Sequence, residues 1–218
     1  MEKASLTIPR IPELDTLGRA DDIISLLDHR GVRRSISCNN WAEQFAYHPL
    51  CTFAAAHTGT HLYIDFLVRC NYLRAVNTEE QSPVCEDSCV EFFVQPKAGG
   101  EYWNLEFNCI GTVNASRRMS RTISTHLSSD EIAQIRRYPS CGTRPFCEVE
   151  GLFTWNILVV IPFALLGIDK VEPGTIMHGN FYKCAEKSSS PHFLSWSPID
   201  TPKPDFHRPE FFGEISFE

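Results

Sequence analysis

A row of polar side chains lies on one face of a predicted β-strand. In the segment Tyr102–Ile110 the residues Asn104, Glu106 and Asn108 alternate with apolar residues. Alternate residues of a strand point to opposite faces of a sheet, so these three side chains share a face. Carboxamides donate and accept hydrogen bonds, and carboxylates accept them. The row could therefore bind a ligand that carries several hydroxyl groups.

A second acidic residue is predicted beside this row. Glu91 lies in the preceding segment, Cys89–Gln95, and the Gly-rich stretch Lys97–Tyr102 predicts a hairpin turn between the two strands. Carboxyl and amide groups with an aromatic ring close by are typical of sites that bind a sugar. Paired carboxylates such as Glu91 and Glu106 also occur in glycoside hydrolases. A solvated outer sheet face would give the same alternation, so all three interpretations stay open here.

Thiols are the third group of side chains that could do chemistry. The nine cysteines are scattered singly, mostly in apolar or alternating segments. This pattern predicts buried thiols in a reducing compartment, so we expect a cytoplasmic protein without a disulfide framework. Cys85 and Cys89 do not have the two-residue spacing of common zinc sites, and we predict no metal centre from them. The acidic, turn-rich loop Asn77–Asp87 would suit a calcium ion, although its spacing is not that of an EF-hand.

The composition limits the kinds of partner that this chain can have. Its 218 residues are 43% hydrophobic and carry a formal net charge of −7, with a sequence pI near 5.6. An acidic chain is not expected to bind nucleic acid, which requires a basic surface. The longest apolar stretch, Ile157–Ile168, is too short to span a bilayer and contains Pro162, so no membrane association is expected. No export signal is visible at the N-terminus.

The positions of turn and apolar residues predict an all-β chain with little helix. Residues 1–33 form a lead that contains one short helix, Ala20–Gly31, and a second short helix is predicted at Ser128–Tyr138. From Arg34 onward short β-rich segments alternate with turns, which is typical of a sandwich or barrel. The predicted strands are Ser35–Cys38, Thr52–His57, His61–Val68, Leu73–Val76, Cys89–Gln95, Tyr102–Ile110, Thr112–Ser116, Leu152–Pro162, Ile176–Cys184 and Glu214–Phe217.

We therefore predict one domain over residues 1–218. Its fold class is an antiparallel β-sandwich of jelly-roll or immunoglobulin-like type with short peripheral helices. The segment 197–218 is rich in proline in its first part, and proline cannot serve an interior ladder. This tail is expected to be extended and packed on the sandwich.

Four stretches of the sequence resemble a known family. They read "VCEDSCVEFFVQP", "YWNLEFNCIGT", "NFYKC" and "PHFLSWSPIDTPKPDFHRPEFFGEISF". Together they are similar to the stand-alone bacterial proteins related to carbohydrate-binding module family 9, from about Trp41 to the end of the chain. The resemblance implies an antiparallel β-sandwich that holds a sugar, often at a reducing end, between two tryptophans. It also implies help from acidic and amide side chains, and calcium occurs in characterised modules of this kind.

The resemblance assigns roles to four residues. Glu91 matches the acidic ligand contact of the family motif, and Asn108 matches the amide on the next strand. Two residues before that amide the characterised modules have a basic residue, where this chain has Glu106. Trp196 in "FLSWSP" matches the second aromatic plate of the sugar clamp.

The first tryptophan of the clamp has no counterpart, since Cys85 occupies its position. The resemblance therefore implies that one wall is missing or is supplied by another aromatic residue. Trp103, Tyr72 and Tyr182 are the candidates that we name for this wall. A lost stacking aromatic costs roughly 1 kcal/mol or more of interaction energy.

The sequence thus predicts non-catalytic binding of a mono- or oligosaccharide, with no cofactor required. The seven residues that we expect at the ligand are Glu91, Asn104, Glu106, Asn108, Trp196, Arg74 and Cys85. Arg74, just before the acidic loop, would be an added donor. Two alternatives remain: a glycoside hydrolase that uses Glu91 and Glu106, and an interaction domain that lost sugar binding when Cys85 replaced the tryptophan. The oligomeric state stays open.

Overall fold

The computed structural model describes residues 2–218, which build two stacked β-sheets with few helices. The strands are β1 (Ser5–Ile8), β2 (Val32–Ser35), β3 (Leu50–His57), β4 (His61–Ala75), β5 (Cys89–Gln95), β6 (Tyr102–Asn108), β7 (Val113–Arg118), β8 (Ser124–His126), β9 (Arg136–Pro139), β10 (Phe146–Pro162), β11 (Ile176–Cys184), β12 (Phe193–Ser195) and β13 (Gly213–Phe217). The helices are α1 (Ala20–Arg30) and α2 (Ser129–Ile132), with short 3₁₀ turns at Pro12–Thr16, Val84–Glu86, Phe163–Leu166 and Pro209–Phe211.

The larger sheet has the strand order β1-β13-β11-β5-β6-β7-β8, and β12 pairs with β11. The smaller sheet has the order β2-β3-β4-β10-β9. All these pairs are antiparallel except β1 with β13, which is parallel. The prediction of an all-β, antiparallel sandwich with short peripheral helices is confirmed.

The main core lies between the two sheets and is built from the alternating apolar residues of each strand. Phe53 of the smaller sheet stacks on Phe181 of the larger sheet with ring centroids 3.8 Å apart. Phe92 stacks on the other side of Phe181 at 4.7 Å. Each fully buried phenylalanine contributes roughly 1.5 to 3 kcal/mol relative to an exposed one. This stack therefore fixes the facing of β3, β5 and β11, and hence which side chains of β5 and β11 point outward.

Several local predictions differ from the structure. The strand predicted at Leu152–Pro162 begins earlier, at Phe146. The strands predicted at His61–Val68 and Leu73–Val76 are one continuous strand, β4, because β10 pairs along its length and absorbs the irregularity in bulges. The predicted strand Ser35–Cys38 is β2 instead, which begins directly after Gly31 because it pairs with β3. In Ser128–Tyr138, a capping box at Ser128 starts the helix. The helix stops at Ile132, since the residues of β9 pair with β10 at the sheet edge.

Opposite ends of the chain cover the outer faces of the two sheets. We call residues 9–30 the N-terminal cover; it packs Ile11, Leu14, Ile23 and Leu27 against the smaller sheet. We call residues 197–212 the C-terminal tail; it lies on the larger sheet. Thr201 of the tail accepts a hydrogen bond from Trp41 Nε1 at 2.8 Å. No helix within residues 2–218 has the length and apolar character needed to cross a membrane.

Candidate functional site

A cavity of about 130 Å³ lies between the C-terminal tail and the outer face of the larger sheet. Its floor is formed by Glu91 and Phe93 of β5 and by Glu106 of β6. Aromatic residues from β12 and the tail form a wall: Phe193, Phe206 and His207. A thiol, three charged residues and one proline complete the lining: Cys85, Arg121, Glu186, Asp205 and Pro204. The cavity thus joins a polar, acidic floor to an apolar wall.

The two floor carboxyl groups are direct cross-strand neighbours. Glu91 of β5 is in register with Glu106 of β6, so their side chains rise from adjacent points on one face. Glu106 accepts hydrogen bonds from Asn104 Nδ2 at 2.8 Å and from Asn114 Nδ2 at 3.0 Å. Burial raises the pKa of Glu106 to about 6, while the two amide donors act in the opposite direction. Glu106 is therefore mostly ionised at neutral pH.

Glu91 has a different environment from its neighbour. Its carboxyl group accepts from Cys184 Sγ at 3.0 Å and, more weakly, from Cys89 Sγ at 3.9 Å. Burial and then the charge of Glu106 raise the pKa of Glu91 well above its usual value. Glu91 is thus the proton-carrying member of the pair and can donate a hydrogen bond into the cavity, while Glu106 can accept one.

The aromatic wall is held in place from behind. Phe206 stacks on the buried ring of Tyr182 at 4.1 Å, and its carbonyl oxygen accepts from the Tyr182 hydroxyl at 3.1 Å. Phe193 packs edge-on against Phe45 at 4.8 Å. The wall is thus preformed rather than dependent on a ligand, which limits the entropy cost of binding.

His207 belongs to the same wall and is uncharged at neutral pH. Burial, with the neighbouring cations Arg118 and Arg121, lowers the pKa of His207 to about 3. Its Nδ1 atom hydrogen-bonds to the hydroxyl of Tyr102 at 3.2 Å. A neutral imidazole packed 5.0 Å from Phe93 extends the apolar surface beside the floor.

An ion pair closes one side of the cavity. Arg121 Nη1 donates to Asp205 Oδ2 at 2.8 Å, which ties the β7–β8 connection to the tail. Arg118 fixes this arrangement, because it donates to the Arg121 carbonyl oxygen at 2.8 Å and to Asn104 Oδ1 at 2.6 Å. The polar row on β6 is thereby linked to the rim, and Asn104 acts as a bridge between Arg118 and Glu106.

Four of the seven predicted ligand residues do not line the cavity: Asn104, Asn108, Arg74 and Trp196. Asn104 supports Glu106 from the side. Asn108 is fully buried and donates to Asp87 Oδ2 at 3.0 Å and to the Asn77 carbonyl, while its own oxygen accepts from Thr112 N. Arg74 lies at the end of β4, and its Nε is 3.4 Å from Asp87 Oδ1. Neither residue lines the cavity, which corrects the predicted ligand role of both; Asn108 and Arg74 contact the loop Asn77–Asp87 instead.

The assignment of Trp196 as a stacking plate is also corrected. Trp196 is only 7% exposed and packs edge-on against Phe53 and Phe181 in the core between the sheets. It follows β12, and its ring points to the opposite side of the sheet from the cavity. The ring also fills the space beside Gly213, where an added Cβ would meet Trp196 at 2.6 Å. Its role in this structure is packing.

Cys85 does line the cavity, as the resemblance implied, but none of the three proposed substitute aromatics reaches it as a wall. Trp103 belongs to the core between the sheets, and Tyr72 lies in the smaller sheet against Tyr47. Tyr182 supports Phe206 from below. The wall comes instead from Phe193 and Phe206, which we did not predict. The available signal was the pair of aromatic, proline-flanked motifs "PHFLSW" and "PDFHRP" in the tail region.

The loop that we considered for calcium does not bring free carboxylates together. Asp87 accepts from the backbone N–H groups of Val76 and Asn77. Glu80 accepts from Val113 N and from Arg137. Since these oxygens already serve as hydrogen-bond acceptors, the donor set does not fit the six to eight oxygen ligands that calcium takes.

Comparison with known proteins gives the same picture at the level of the whole chain. The family model for "Carbohydrate-binding family 9" matches residues 21–217. A candidate carbohydrate-binding protein from Bacteroides uniformis is 33% identical, with a TM-score of 0.92 over 100% of both chains. No match was found among curated proteins.

Two further solved structures share the fold at low sequence identity. Both are of a carbohydrate-binding module of family 9 from Caldicellulosiruptor kristjanssonii, one in complex with glucose and one with cellotriose. The glucose complex is 14% identical with a TM-score of 0.63, covering 99% of this chain and 96% of that one. The cellotriose complex is 15% identical with a TM-score of 0.62, covering 99% and 94%. The family model and the relative that is 33% identical show that the chain belongs to carbohydrate-binding family 9.

Proposed function

We propose that this protein binds one sugar ring, the end of a saccharide chain or a free monosaccharide, in the cavity over Glu91 and Glu106. The observation that carries the proposal is the pairing of two unlike carboxyl groups on the floor with aromatic rings on the wall. Hydroxyl groups need both donors and acceptors, and the apolar face of a ring needs an aromatic surface. Family membership and the sugar complexes of the two bacterial modules support the same ligand class.

The size of the cavity favours a single ring. At about 130 Å³ it is smaller than the roughly 300 to 1,000 Å³ of pockets that enclose drug-sized ligands. The tail crosses above the sheet, so a long chain lying across the floor would collide with Phe206. We therefore expect the reducing or non-reducing end of a saccharide to enter, with the rest of the chain in solvent.

Each floor residue has a defined role in this proposal. Glu91, which carries a proton, donates to one sugar hydroxyl oxygen. Glu106, which is ionised and held by two amides, accepts from another hydroxyl. The face of the ring packs on Phe193, in place of the tryptophan clamp whose first position is Cys85.

A screen of monosaccharides and oligosaccharides by calorimetry tests the proposal. We expect binding of at least one sugar, weakened strongly in Glu91→Ala. Asp65→Asn is the matched control, because Asp65 is a buried carboxyl group on the outer face of the other sheet. Absence of binding to any sugar, with the fold intact by circular dichroism, would overturn the proposal and favour the interaction-domain alternative.

The split pKa values of Glu91 and Glu106 are one observation in favour of a hydrolase, because an acid and a base with separated pKa values are what general acid–base catalysis uses. The geometry favours binding instead. Hydrolases place their carboxyl groups on either side of the scissile bond, whereas these two rise side by side from one floor. Incubation of the protein with oligosaccharides and analysis of the products separates the two functions: release of shorter saccharides would favour the hydrolase.

A further inference from the structure

Three metal-ligating side chains converge beneath the cavity floor. Within residues 2–218 the ligand atoms of Cys89, Glu91 and Cys184 lie within 4.8 Å of one another, and all three residues are buried. Cys89 and Cys184 are cross-strand partners on β5 and β11, so their thiols face the same way by strand register. Glu91 follows two positions after Cys89 on the same face. The cluster is thus set by the sheet itself, not by a mobile loop.

We infer that Cys89, Glu91 and Cys184 form a binding site for a thiophilic divalent cation, with Zn²⁺ the best fit. Thiolate sulfur and carboxylate oxygen are both zinc ligands, and zinc sites with three protein ligands are known. Tetrahedral zinc with bonds of about 2.3 Å to sulfur and about 2.1 Å to oxygen requires sulfur and oxygen ligands about 3.6 Å apart. The observed Sγ to Oε1 distances are 3.0 Å from Cys184 and 3.9 Å from Cys89. Small side-chain rotations bring both to that spacing.

The ligand atoms of Cys89, Glu91 and Cys184 hydrogen-bond to one another, so few other contacts must break when a cation binds. The Glu91 carboxyl group accepts only the two weak thiol donors among the hydrogen bonds of residues 2–218. Glu106, next to Glu91, adds negative charge to the same buried region. The ammonium of Lys183 does not neutralise the cluster directly, because Lys183 points to the inner face and donates to the Cys184 carbonyl oxygen at 2.6 Å. A divalent cation would supply the missing positive charge where the acids are desolvated.

The cavity provides both an entry path and the fourth coordination position. Glu91 lines the cavity, and Cys85 lies at its edge. Zinc sites with three protein ligands keep one position for water or another small ligand. Here that position faces the cavity, so a water molecule or a sugar hydroxyl would complete the coordination. Binding of the metal displaces the thiol protons and the Glu91 proton into solvent, and no oxidation is involved.

This inference goes beyond sugar binding and shares only Glu91 with it. Its test contains no sugar, so the two can fail separately. The reduced, full-length protein is titrated with Co²⁺, a spectroscopic substitute for Zn²⁺. We expect a thiolate-to-cobalt charge-transfer band that saturates at one ion per chain and disappears when Zn²⁺ is added.

Variants assign the ligands. Cys89→Ser and Cys184→Ser should lose the band, and Cys51→Ser should keep it, because Cys51 is a buried thiol of the smaller sheet. Thermal unfolding of the wild type gives a second measurement that does not depend on variants folding, since Zn²⁺ bound only by the native state raises the midpoint. A reduced wild type with neither band nor raised midpoint overturns the inference, as does a band that persists in both Cys89→Ser and Cys184→Ser.

Discussion

The outer faces of the two sheets are both covered by a terminal segment, but the covers differ in chemistry. The apolar side chains of the N-terminal cover pack against apolar residues of the smaller sheet: Ala54, Ala56, Leu158 and Val160. The C-terminal tail meets the larger sheet over a row of carboxyl, amide and thiol groups and leaves a cavity. The contact between the N-terminal cover and the smaller sheet is apolar and stabilises the fold. The contact between the C-terminal tail and the larger sheet keeps polar groups buried beside a cavity.

A buried acid, Asp65, also occurs on the outer face of the smaller sheet. Asp65 is nearly fully buried and accepts a hydrogen bond from Asn156 Nδ2 at 2.9 Å. The pKa of Asp65 is raised, like those of Glu91 and Glu106 under the tail. Unlike those two residues, Asp65 does not line the cavity. Burial of an acid is therefore common to both faces, and access to a cavity distinguishes the larger sheet.

Removal of an apolar side chain from the N-terminal cover should give the largest effect on stability. Leu27 is fully buried between α1 and the smaller sheet. We expect Leu27→Ala to lower the free energy of unfolding by about 2 to 5 kcal/mol, since it removes buried apolar surface and leaves a cavity. Urea denaturation followed by tryptophan fluorescence measures this. Sugar affinity of the folded variant should be unchanged, and a matching loss of affinity would show that the two faces are coupled.

Asp65→Asn should change how stability depends on pH. Burial raises the pKa of Asp65 to about 6 from 3.8. The native state therefore holds this proton more tightly than the unfolded state, so the stabilisation is full below pH 3.8 and is lost as the pH rises through 6. Asp65→Asn cannot ionise at this position, so its stability does not fall as the pH rises through 6. Compared with wild type it should be more stable by up to about 3 kcal/mol above pH 6, at about 1.4 kcal/mol for each pKa unit.

Denaturation curves at pH 4 and pH 7 test this expectation for Asp65. The exposed Asp28, close enough to raise the pKa of Asp65, needs its own variant, Asp28→Asn, as a control. Equal stability differences between variant and wild type at both pH values would contradict burial as the origin of the shift.

Glu106→Gln should affect stability less than Leu27→Ala, and it should also alter ligand binding. In the variant the new side-chain NH₂ group faces the NH₂ group of either Asn104 or Asn114, so two donors meet and one hydrogen bond is lost. A buried donor without an acceptor costs about 1 to 3 kcal/mol of stability. In the wild type, sugar affinity should fall as the pH drops below about 6, when Glu106 becomes protonated and loses acceptor capacity. That pH dependence should be absent in the variant. Calorimetry between pH 5 and 8 measures it, with the surface change Glu101→Gln as control.

Phe193→Ala should have the smallest effect, and only on binding at the tail-covered face. Removing one aromatic surface from the wall should weaken sugar binding by about 0.5 to 1.5 kcal/mol. Phe146→Ala is a matched control, because Phe146 is a half-buried phenylalanine of the smaller sheet. An unchanged affinity in Phe193→Ala would mean that Phe206 or His207 alone forms the apolar contact.

Much of the larger sheet could be predicted from local patterns. The bounds of β5 and β11 were predicted as observed, and the hairpin between β5 and β6 is confirmed, as is the outward facing of Glu91 and Glu106. These features depend on alternation and turn residues, which act over a few positions. The strands β1, β8, β9 and β12 were missed because each is only three or four residues long, too short for alternation to identify it.

The residues around the cavity were harder to predict than its floor. Trp196 and Phe193 are three residues apart in one motif, yet the first packs in the core and the second lines the cavity. Residues three apart on a strand point to opposite faces, but β12 was not predicted as a strand, so this rule was not applied to Phe193 and Trp196. Asn108 has the residue type and strand position of a ligand contact, but its amide nitrogen donates to the loop that contains Asp87 and its oxygen accepts from Thr112 N.

The sequence by itself determined the fold class, the family and the pairing of two carboxyl groups on one sheet face, because each follows from local periodicity or from motifs. Only the tertiary structure decided that the C-terminal tail covers this face, that Phe193 and Phe206 line the cavity, and that Cys184 meets Cys89 beside Glu91. These contacts join residues about a hundred positions apart. They depend on how the sheets and the tail pack. Burial raises the pKa of both Glu91 and Glu106, and the amide donors at Glu106 together with the charge of Glu106 beside Glu91 then make the two groups unlike.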